Sequence, residues 1–169
     1  FMALKGANDG KSWQEWGKPL RHREPEALTE CRKTYADEID FWVYLQFLFF
    51  RQWKKLKEYA KKQGVSLVGD LPIYVALDSA DVWASPSLFA LDGDLVPKEV
   101  AGVPPDYFSA DGQLWGNPLY DWEAHKKENY AWWISRVQAA RELYDFIRID
   151  HFRGFASYCA IPYGDKNAR

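Results

Sequence analysis

The sequence has few cysteines, no excess of charge of either sign and no long apolar run, and each shortage excludes a class of protein. Its two cysteines, Cys31 and Cys159, form no CxxC motif, which argues against a disulfide framework or a zinc site. A formal net charge of -2 gives no reason to expect nucleic acid or an anionic membrane as partner. No stretch reaches the roughly 20 apolar residues of a membrane span, and the first residues lack a signal-peptide pattern. We therefore expect a cytoplasmic protein without a membrane partner.

Aromatic residues, by contrast, are abundant. They make up 17% of the 169 residues and include nine Trp and ten Tyr. Such rings can form a hydrophobic core, and they are also the side chains on which the apolar face of a sugar ring stacks. Composition alone leaves both readings open, for a chain long enough to form one ordinary domain with a sizeable core.

Two segments show the periodicity of long helices. Apolar residues recur at three- and four-residue steps over residues 37–63 and again over 122–144. The part from Phe41 to Phe50 is apolar on nearly every side, so we expect it to be buried as core. His125, near the start of the second helix, is expected to be exposed.

Two strands are predicted at residues 65–70 and 146–150, and each finishes on an aspartate. The order helix, strand, insertion, helix, strand implies a right-handed parallel crossover between buried strands, with both strand ends at the same edge. Alternation places Arg148 and Asp150 on one face, where the guanidinium should lower the pKa of the Asp150 carboxyl. From this stretch alone, a catalytic carboxylate and a structural ion pair are equally good interpretations.

Residues 76–121 lie between the two strands and are mostly not helical. They are rich in Gly, Pro and aromatic residues, and two stretches, 101–109 and 113–120, are predicted to be loops. An insertion at this point would overhang the strand ends, so we interpret it as a substrate-covering segment with Tyr107 and Trp115 as stacking residues. The alternative is that these rings only pack the insertion onto the rest of the fold.

Four sequence blocks together resemble the 4-α-glucanotransferases of glycoside hydrolase family 77. The blocks are Gly69-Asp-Leu-Pro-Ile-Tyr-Val75 with Asp78-Ser-Ala-Asp-Val-Trp83, Val100-Ala-Gly-Val-Pro-Pro-Asp-Tyr-Phe-Ser109, Trp115-Gly-Asn-Pro-Leu-Tyr120, and Arg148-Ile-Asp-His-Phe-Arg-Gly154. The resemblance implies an α/β fold that is part of a (β/α)8 TIM barrel, with residues 1–169 as a partial catalytic domain. The two predicted strands would be its third and fourth, and residues 76–121 a long insertion between successive barrel strands.

The resemblance also implies roles for individual residues. By position in the motifs, Asp150 resembles the catalytic nucleophile and Arg148 its arginine partner, while Asp70 lies near the donor site. Asp106, Tyr107 and Trp115 belong to the segment that shapes the acceptor side. Within the same matching blocks, Asn117 and His151 are expected to bind substrate as well. No metal and no organic cofactor is implied.

The implied activity moves a segment of α-1,4-glucan to another glucan or to glucose with retention of anomeric configuration. Retaining transfer needs a second carboxyl group about 5 Å from the nucleophile, and the resemblance expects it on a Glu beyond Arg169. A complete barrel takes about 250 residues, so we expect a fragment that is inactive alone. An α-glucan hydrolase of the same superfamily remains an alternative, as does a non-catalytic glucan-binding module, which would not need Arg148 and Asp150 on one strand face.

Overall fold

The computed structural model describes residues 1–169, which form two compact units. One unit comprises Phe1–Gly69 and Arg141–Phe146, and the other comprises Asp70–Ala140 and Ile147–Arg169. The helices are α1 (Met2–Ala7), α2 (Lys18–Arg21), α3 (Pro25–Thr34), α4 (Ala36–Lys62), α5 (Ala80–Ala84), α6 (Trp122–Lys127) and α7 (Ala131–Leu143). The strands are β1 (Val68–Asp70), β2 (Glu99–Val103), β3 (Gln113–Pro118), β4 (Phe146–Arg148) and β5 (Cys159–Pro162). None of the helices combines the length and apolarity that a bilayer crossing requires.

Helix α4 confirms the long helix predicted at residues 37–63. Asp37 and Glu38 lie in its first turn and Lys61 and Lys62 in its last, where each charge complements the helix dipole. Gly64 ends the helix with a φ of 71°, a left-handed conformation that glycine adopts without steric cost. The sequence therefore contains both the helix and its termination signal.

The prediction that the middle of α4 is buried core is wrong for this chain. Phe41, Val43 and Phe47 keep 55%, 62% and 56% of their surface exposed, and the one buried residue of the helix is Ala60. Apolar periodicity predicts which face of a helix is apolar, but that face is buried only if another element packs against it. Within these 169 residues, α1 and α3 contact α4 and leave most of its aromatic surface in solvent.

Strands β1 and β4 pair with each other and run parallel, as the crossover rule predicts. The Leu67 carbonyl accepts hydrogen bonds from the Asp145 and Phe146 amides, and further along the Leu71 amide donates to the Arg148 carbonyl at 2.8 Å. Both strands are shorter than predicted and they are not buried, since Val68 and Phe146 are exposed. Two strands without a covering layer cannot bury both of their faces.

Gly69 is required where β1 passes the ring of Tyr144. A Cβ atom at position 69 would lie 2.0 Å from the Tyr144 ring, so no other residue fits without displacing that ring. Tyr144 in turn packs edge-on against Trp53 of α4, with 5.9 Å between ring centroids. The glycine that precedes Asp70 is thus explained by packing.

Lys57 of α4 binds the C-terminal end of α7. Its ammonium group donates to the carbonyl oxygens of Arg141, Glu142 and Tyr144 at 3.0–3.1 Å, and it lies 3.8 Å from the Asp145 carboxylate. The last carbonyls of a helix have no intrahelical partner, and they carry the negative end of the helix dipole. The Asp145 carboxylate also accepts from the Leu67 amide at 2.9 Å. One lysine therefore satisfies a helix terminus and contacts the residue that leads into β4.

The segment 76–121 contains two regular strands, β2 and β3, in stretches that the sequence analysis predicted as loops. β2 pairs antiparallel with both β3 and β5 to form a three-stranded sheet in the order β3-β2-β5. Residues predicted as loops at 101–109 and 113–120 therefore include most of β2 and all of β3. Gly102 lies where a Cβ would meet both Ile161 and the Gln113 carbonyl within about 2.3 Å, and the register shifts beside it. The glycine content of this stretch suggested a loop, but Gly102 instead allows β2 to lie close to its neighbouring strands.

The single helix predicted at 122–144 is divided into α6 and α7. Asn129 and Tyr130 adopt φ values of 54° and 56°, which end the helical path. The Glu128 carboxylate accepts a hydrogen bond from the Trp132 amide at 3.1 Å and so satisfies one of the first donors of α7. A break with its own capping contact is a local feature that apolar periodicity does not reveal.

His125 is fully buried, which contradicts the expectation that it is exposed. Its ring lies within 5.3–5.7 Å of the rings of Tyr120, Trp122 and Trp132, and Nδ1 is 3.5 Å from the Glu128 carboxylate. Burial lowers the pKa of His125, and the nearby carboxylates of Glu128 and Asp121 only partly offset this effect. Some of the abundant aromatic residues therefore pack around His125.

We expect Lys57→Met to lower the free energy of unfolding by about 1–2 kcal/mol, because it leaves three carbonyl oxygens at the end of α7 without their charged donor. The measurement is urea unfolding followed by tryptophan fluorescence. Lys61→Met is the matched control: Lys61 lies one turn further along α4 and, like Lys57, lines the cavity between α4 and the end of α7, but its side chain makes no polar contact. A change within about 0.5 kcal/mol is expected there. Equal losses in both variants would contradict the anchoring role of Lys57.

We expect the free energy of unfolding to decrease on acidification because of His125. Its folded-state pKa lies below its ordinary value, so the unfolded chain takes up the proton first as the pH falls. The contribution is complete above about pH 6.5 and is lost as the pH falls towards the folded-state pKa, by about 1.4 kcal/mol per unit that separates the two pKa values. Unfolding of wild type and His125→Gln between pH 8 and pH 5 measures it. A wild-type slope that persists unchanged in His125→Gln would disprove the assignment.

Candidate active site

The ends of β1 and β4 join an aspartate and an arginine in a bidentate ion pair. Arg148 Nε donates to Asp70 Oδ1 and Arg148 Nη2 donates to Asp70 Oδ2, both at 2.7 Å. These hydrogen bonds lower the pKa of the Asp70 carboxyl and raise that of the Arg148 guanidinium. Both side chains are exposed, so the pair lies at an open edge of the strands.

The arginine partner differs from the one that the sequence predicts. Arg148 was expected to pair with Asp150, two residues along the same strand, but its hydrogen bonds go to Asp70 on the neighbouring strand. β4 ends at Arg148, so Asp150 has left the strand and lies exposed in the following turn. Parallel pairing brings Asp70 alongside Arg148, where a planar guanidinium matches both carboxylate oxygens. The negative charge of Asp150 makes a smaller contribution to the raised pKa of Arg148.

His151, directly after Asp150, adopts a left-handed conformation with φ 49° and ψ 40°. This turn leads into the short 3-10 helix Phe152–Phe155 and is crowded by Gly154, where a Cβ would lie 2.8 Å from His151 Cδ2. The Nε2 atom of His151 is buried and has no hydrogen-bond partner. A histidine held in this backbone conformation, with an unpaired ring nitrogen, is a candidate contact for a polar ligand.

Trp115 of β3 packs against His151. Its indole meets the imidazole edge-on with 5.1 Å between centroids, and Tyr74 lies 6.3 Å from both rings. Trp115 Nε1 donates to the Gln113 amide oxygen, and 38% of the tryptophan surface stays exposed. Burial is the main reason that the pKa of Tyr74 rises to about 12, so that hydroxyl stays protonated. The structure thus brings Trp115 and His151 together beside Tyr74, a residue that the sequence analysis did not select.

Asp106 and Tyr107 lie in the loop between β2 and β3. Asp106 Oδ1 accepts hydrogen bonds from the Phe108 and Ser109 amides at 2.9 and 2.8 Å, which orders the loop internally. Tyr107 and Phe108 are 97% and 92% exposed and contact each other edge-on. The loop therefore presents two aromatic rings to solvent, and Asp106 stabilises its conformation.

Asn117 holds the chain that follows β1. Its side-chain amide donates to the Val75 carbonyl at 2.9 Å. The Tyr120 hydroxyl donates to the Ile73 carbonyl at 2.5 Å, and Arg136 of α7 donates to the carbonyls of Pro72 and Ile73 at 2.5 and 3.3 Å. The sequence analysis assigned no role to Tyr120 or Arg136. For Arg136 the reason is that an arginine within an amphipathic helix carries no positional signal of its own.

A cavity of about 480 Å³ opens next to His151. It is lined by Gly102, Val103, Pro104, His151, Arg153, Ser157, Tyr158 and Cys159. Hydrogen-bond donors and an aromatic ring in one concave surface suit a neutral polyhydroxy ligand. Together with the exposed carboxylates of Asp70 and Asp150, this arrangement can bind hydroxyl groups and supply a nucleophilic oxygen.

The chain is similar in sequence to curated 4-alpha-glucanotransferases. It is 54% identical over 168 residues to that of Aquifex aeolicus, covering 99% of this chain and 34% of the relative. It is 49% identical over 168 residues to the chloroplastic/amyloplastic 4-alpha-glucanotransferase of Solanum tuberosum, covering 99% of this chain and 29% of the relative. The chain therefore spans about a third of the length of these relatives.

A solved structure supports the same relationship. The amylomaltase of Streptococcus agalactiae, in complex with acarbose, matches 99% of this chain and 34% of its own, with a TM-score of 0.94 and 46% identity. The 4-alpha-glucanotransferase pattern of glycoside hydrolase family 77 matches residues 1–169. With the strand-end aspartates and the aromatic segment between them, these similarities show that the chain belongs to glycoside hydrolase family 77, the 4-alpha-glucanotransferases.

Proposed function

We propose that the full-length protein transfers segments of α-1,4-glucan from a maltodextrin or starch donor to the 4-hydroxyl of another glucan or of glucose. The observation that carries the proposal is the position of Asp70, Arg148 and Asp150 at the carboxyl ends of two parallel, paired strands. In α/β folds such strand ends are where reactive side chains gather. The acarbose bound to the S. agalactiae amylomaltase supports an α-glucan as ligand for this chain as well.

The proposed fold of the full-length protein is a (β/α)8 barrel of which β1 and β4 are successive strands. Parallel pairing of β1 with β4, and the passage of the chain through α7 between them, support this proposal. Residues 76–121 are then an insertion between barrel strands that covers bound substrate. Its exposed rings at Tyr107 and Phe108, and the half-exposed Trp115, provide the surface on which an acceptor glucan would stack.

The proposed reaction is a retaining double displacement. An Asp150 carboxylate oxygen attacks the anomeric carbon of the donor, the glycosidic bond breaks, and a carboxylic acid transfers its proton to the departing oxygen. The same acid, now a carboxylate, takes the proton from the acceptor 4-hydroxyl as that oxygen attacks the glycosyl-aspartate and releases Asp150. We propose that this acid belongs to a part of the full-length protein outside these 169 residues, and that the isolated chain is therefore inactive.

The remaining residues are proposed to bind sugar, or to position the chain that does, rather than to form covalent bonds. Asp70, fixed in its ionised form by Arg148, would accept hydrogen bonds from donor hydroxyls. His151 has a buried ring nitrogen without a partner, which suits a hydroxyl of the sugar beside Asp150. Asp106 and Asn117 would act mainly through the backbone that they hold in place.

Replacing the nucleophile tests the catalytic assignment. We expect Asp150→Asn in the full-length protein to lower kcat for glucan transfer by about 10⁴-fold or more, because an amide cannot form the glycosyl ester. Binding of acarbose, measured by calorimetry, should stay within about threefold of wild type. Asp94→Asn, at an exposed aspartate of residues 76–121, should leave both quantities unchanged. Undiminished turnover in Asp150→Asn would disprove the nucleophile, and binding without any wild-type turnover would indicate a glucan-binding module instead.

Removing the exposed ring of Tyr107 tests the covering role of the insertion. We expect Tyr107→Ala to raise the ratio of hydrolysis to transfer several-fold, because water gains access to the glycosyl intermediate when the acceptor surface is reduced. Free reducing ends compared with transfer products, resolved by chromatography, give this ratio. Tyr107→Phe keeps the ring and should behave as wild type. If the alanine variant keeps the wild-type ratio, the Tyr107 ring does not exclude water from the intermediate. If the wild-type protein only hydrolyses glucan, the protein is a hydrolase and the proposed transfer is wrong.

A further inference from the structure

Arg136 is the one side chain of α7 that binds the backbone immediately after Asp70. Its guanidinium donates to the carbonyls of Pro72 and Ile73, and its carbon Cζ lies 5.2 and 5.1 Å from the ring centroids of Trp132 and Trp133. Both indole rings attract the guanidinium and so favour this position. Arg136 is therefore a fixed donor pair that faces two consecutive carbonyl groups.

Two further side chains donate hydrogen bonds to the segment 72–75, which includes the carbonyls bound by Arg136. The Tyr120 hydroxyl shares the Ile73 carbonyl with Arg136, and the Asn117 amide binds the Val75 carbonyl. Tyr120 is buried, and burial raises its pKa, so its hydroxyl keeps the proton that it donates. Residues 72–75 form no strand pairing of their own, so these side chains replace a sheet ladder.

The segment 72–75 begins two residues after Asp70. Between them, the Leu71 amide donates to the Arg148 carbonyl, and the Asp70 carboxylate binds the Arg148 guanidinium. Both partners of that ion pair are exposed, and exposed ion pairs gain little stability from their charges alone. The geometry of the pair consequently depends on how firmly the backbone on either side is held.

We propose that Arg136 is a positioning residue: by clamping the Pro72 and Ile73 carbonyls it fixes the strand end that presents Asp70 to Arg148. The inference rests on the proposed glucan transfer for its effect on rate, and on the contacts above for its effect on structure. The Arg136 guanidinium is engaged by backbone carbonyls and is assigned no contact with substrate. It acts through Asp70, and a displacement of that carboxylate of about 1 Å is sufficient to slow the reaction.

The test is kinetic and uses the full-length protein with maltotriose. We expect Arg136→Met to lower kcat about tenfold while KM changes less than twofold, because hydrogen bonds to the sugar strengthen in the transition state. Arg136→Lys retains the charge but has no planar pair of donors, so it should recover only part of the rate. Arg141→Met, at an exposed arginine of the same helix, is the control and should match wild type.

A double-variant comparison separates positioning from a general loss of stability. If Arg136 acts through Asp70, adding Arg136→Met to Asp70→Asn should lower kcat less than twofold further. A second tenfold loss on the Asp70→Asn background would show an independent effect and overturn the proposal. Should Arg136→Met not fold, Arg136→Lys and Tyr120→Phe replace it in the same comparison, since each removes part of the Ile73 contact.

A crystal structure of the Arg136→Met protein gives a result that does not depend on activity. The expected outcome is displacement of the Pro72 and Ile73 carbonyls and loss of the two-point contact between Asp70 and Arg148. If both 2.7 Å contacts persist, the proposal is wrong whatever the rate. If the contacts are lost in a protein whose wild type transfers no glucan, the positioning role holds and the proposed transfer fails.

Discussion

The two-point contact between Arg148 and Asp70 requires two neighbouring strands to end at the same level. A guanidinium binds both oxygens of a carboxylate only when the two groups are coplanar and close, and in this chain that geometry comes from parallel pairing of β1 with β4. Asp150 then follows two residues later, in the turn at the end of β4. The pairing of Asp70 with Arg148 therefore follows from strand register, and the position of Asp150 follows from where β4 ends.

Side-chain contacts to backbone groups maintain this register where the sheet itself is narrow. Lys57 donates hydrogen bonds to three carbonyls at the end of α7, and the Asp145 carboxylate beside it accepts a hydrogen bond from the Leu67 amide. In the other unit, Arg136 and Tyr120 bind the carbonyls that follow β1. A two-stranded sheet has few ladder hydrogen bonds, so these contacts supply much of what a wider sheet would provide.

The aromatic residues divide into three environments with different consequences. Tyr120, His125, Phe89 and Trp133 are buried and contribute to the core of their unit. Rings such as Trp115 and Tyr107 lie beside the candidate site or on its loop, where an exposed face suits a sugar. Most of those on α4 are exposed, in a chain that spans about a third of the length of its relatives. Aromatic content by itself does not distinguish these environments.

The sequence determined the local elements and the family, because these depend on patterns within one segment. Apolar periodicity and Gly64 defined α4, and the Arg148–Gly154 block carried the resemblance to the 4-α-glucanotransferases. Tertiary structure alone decided the partner of Arg148, the strands within residues 76–121 and the burial of His125. Each of these depends on groups distant in sequence, which residue spacing does not reveal. Burial of α4 was mispredicted for the same reason, since a periodic face indicates a need for a partner and not its presence.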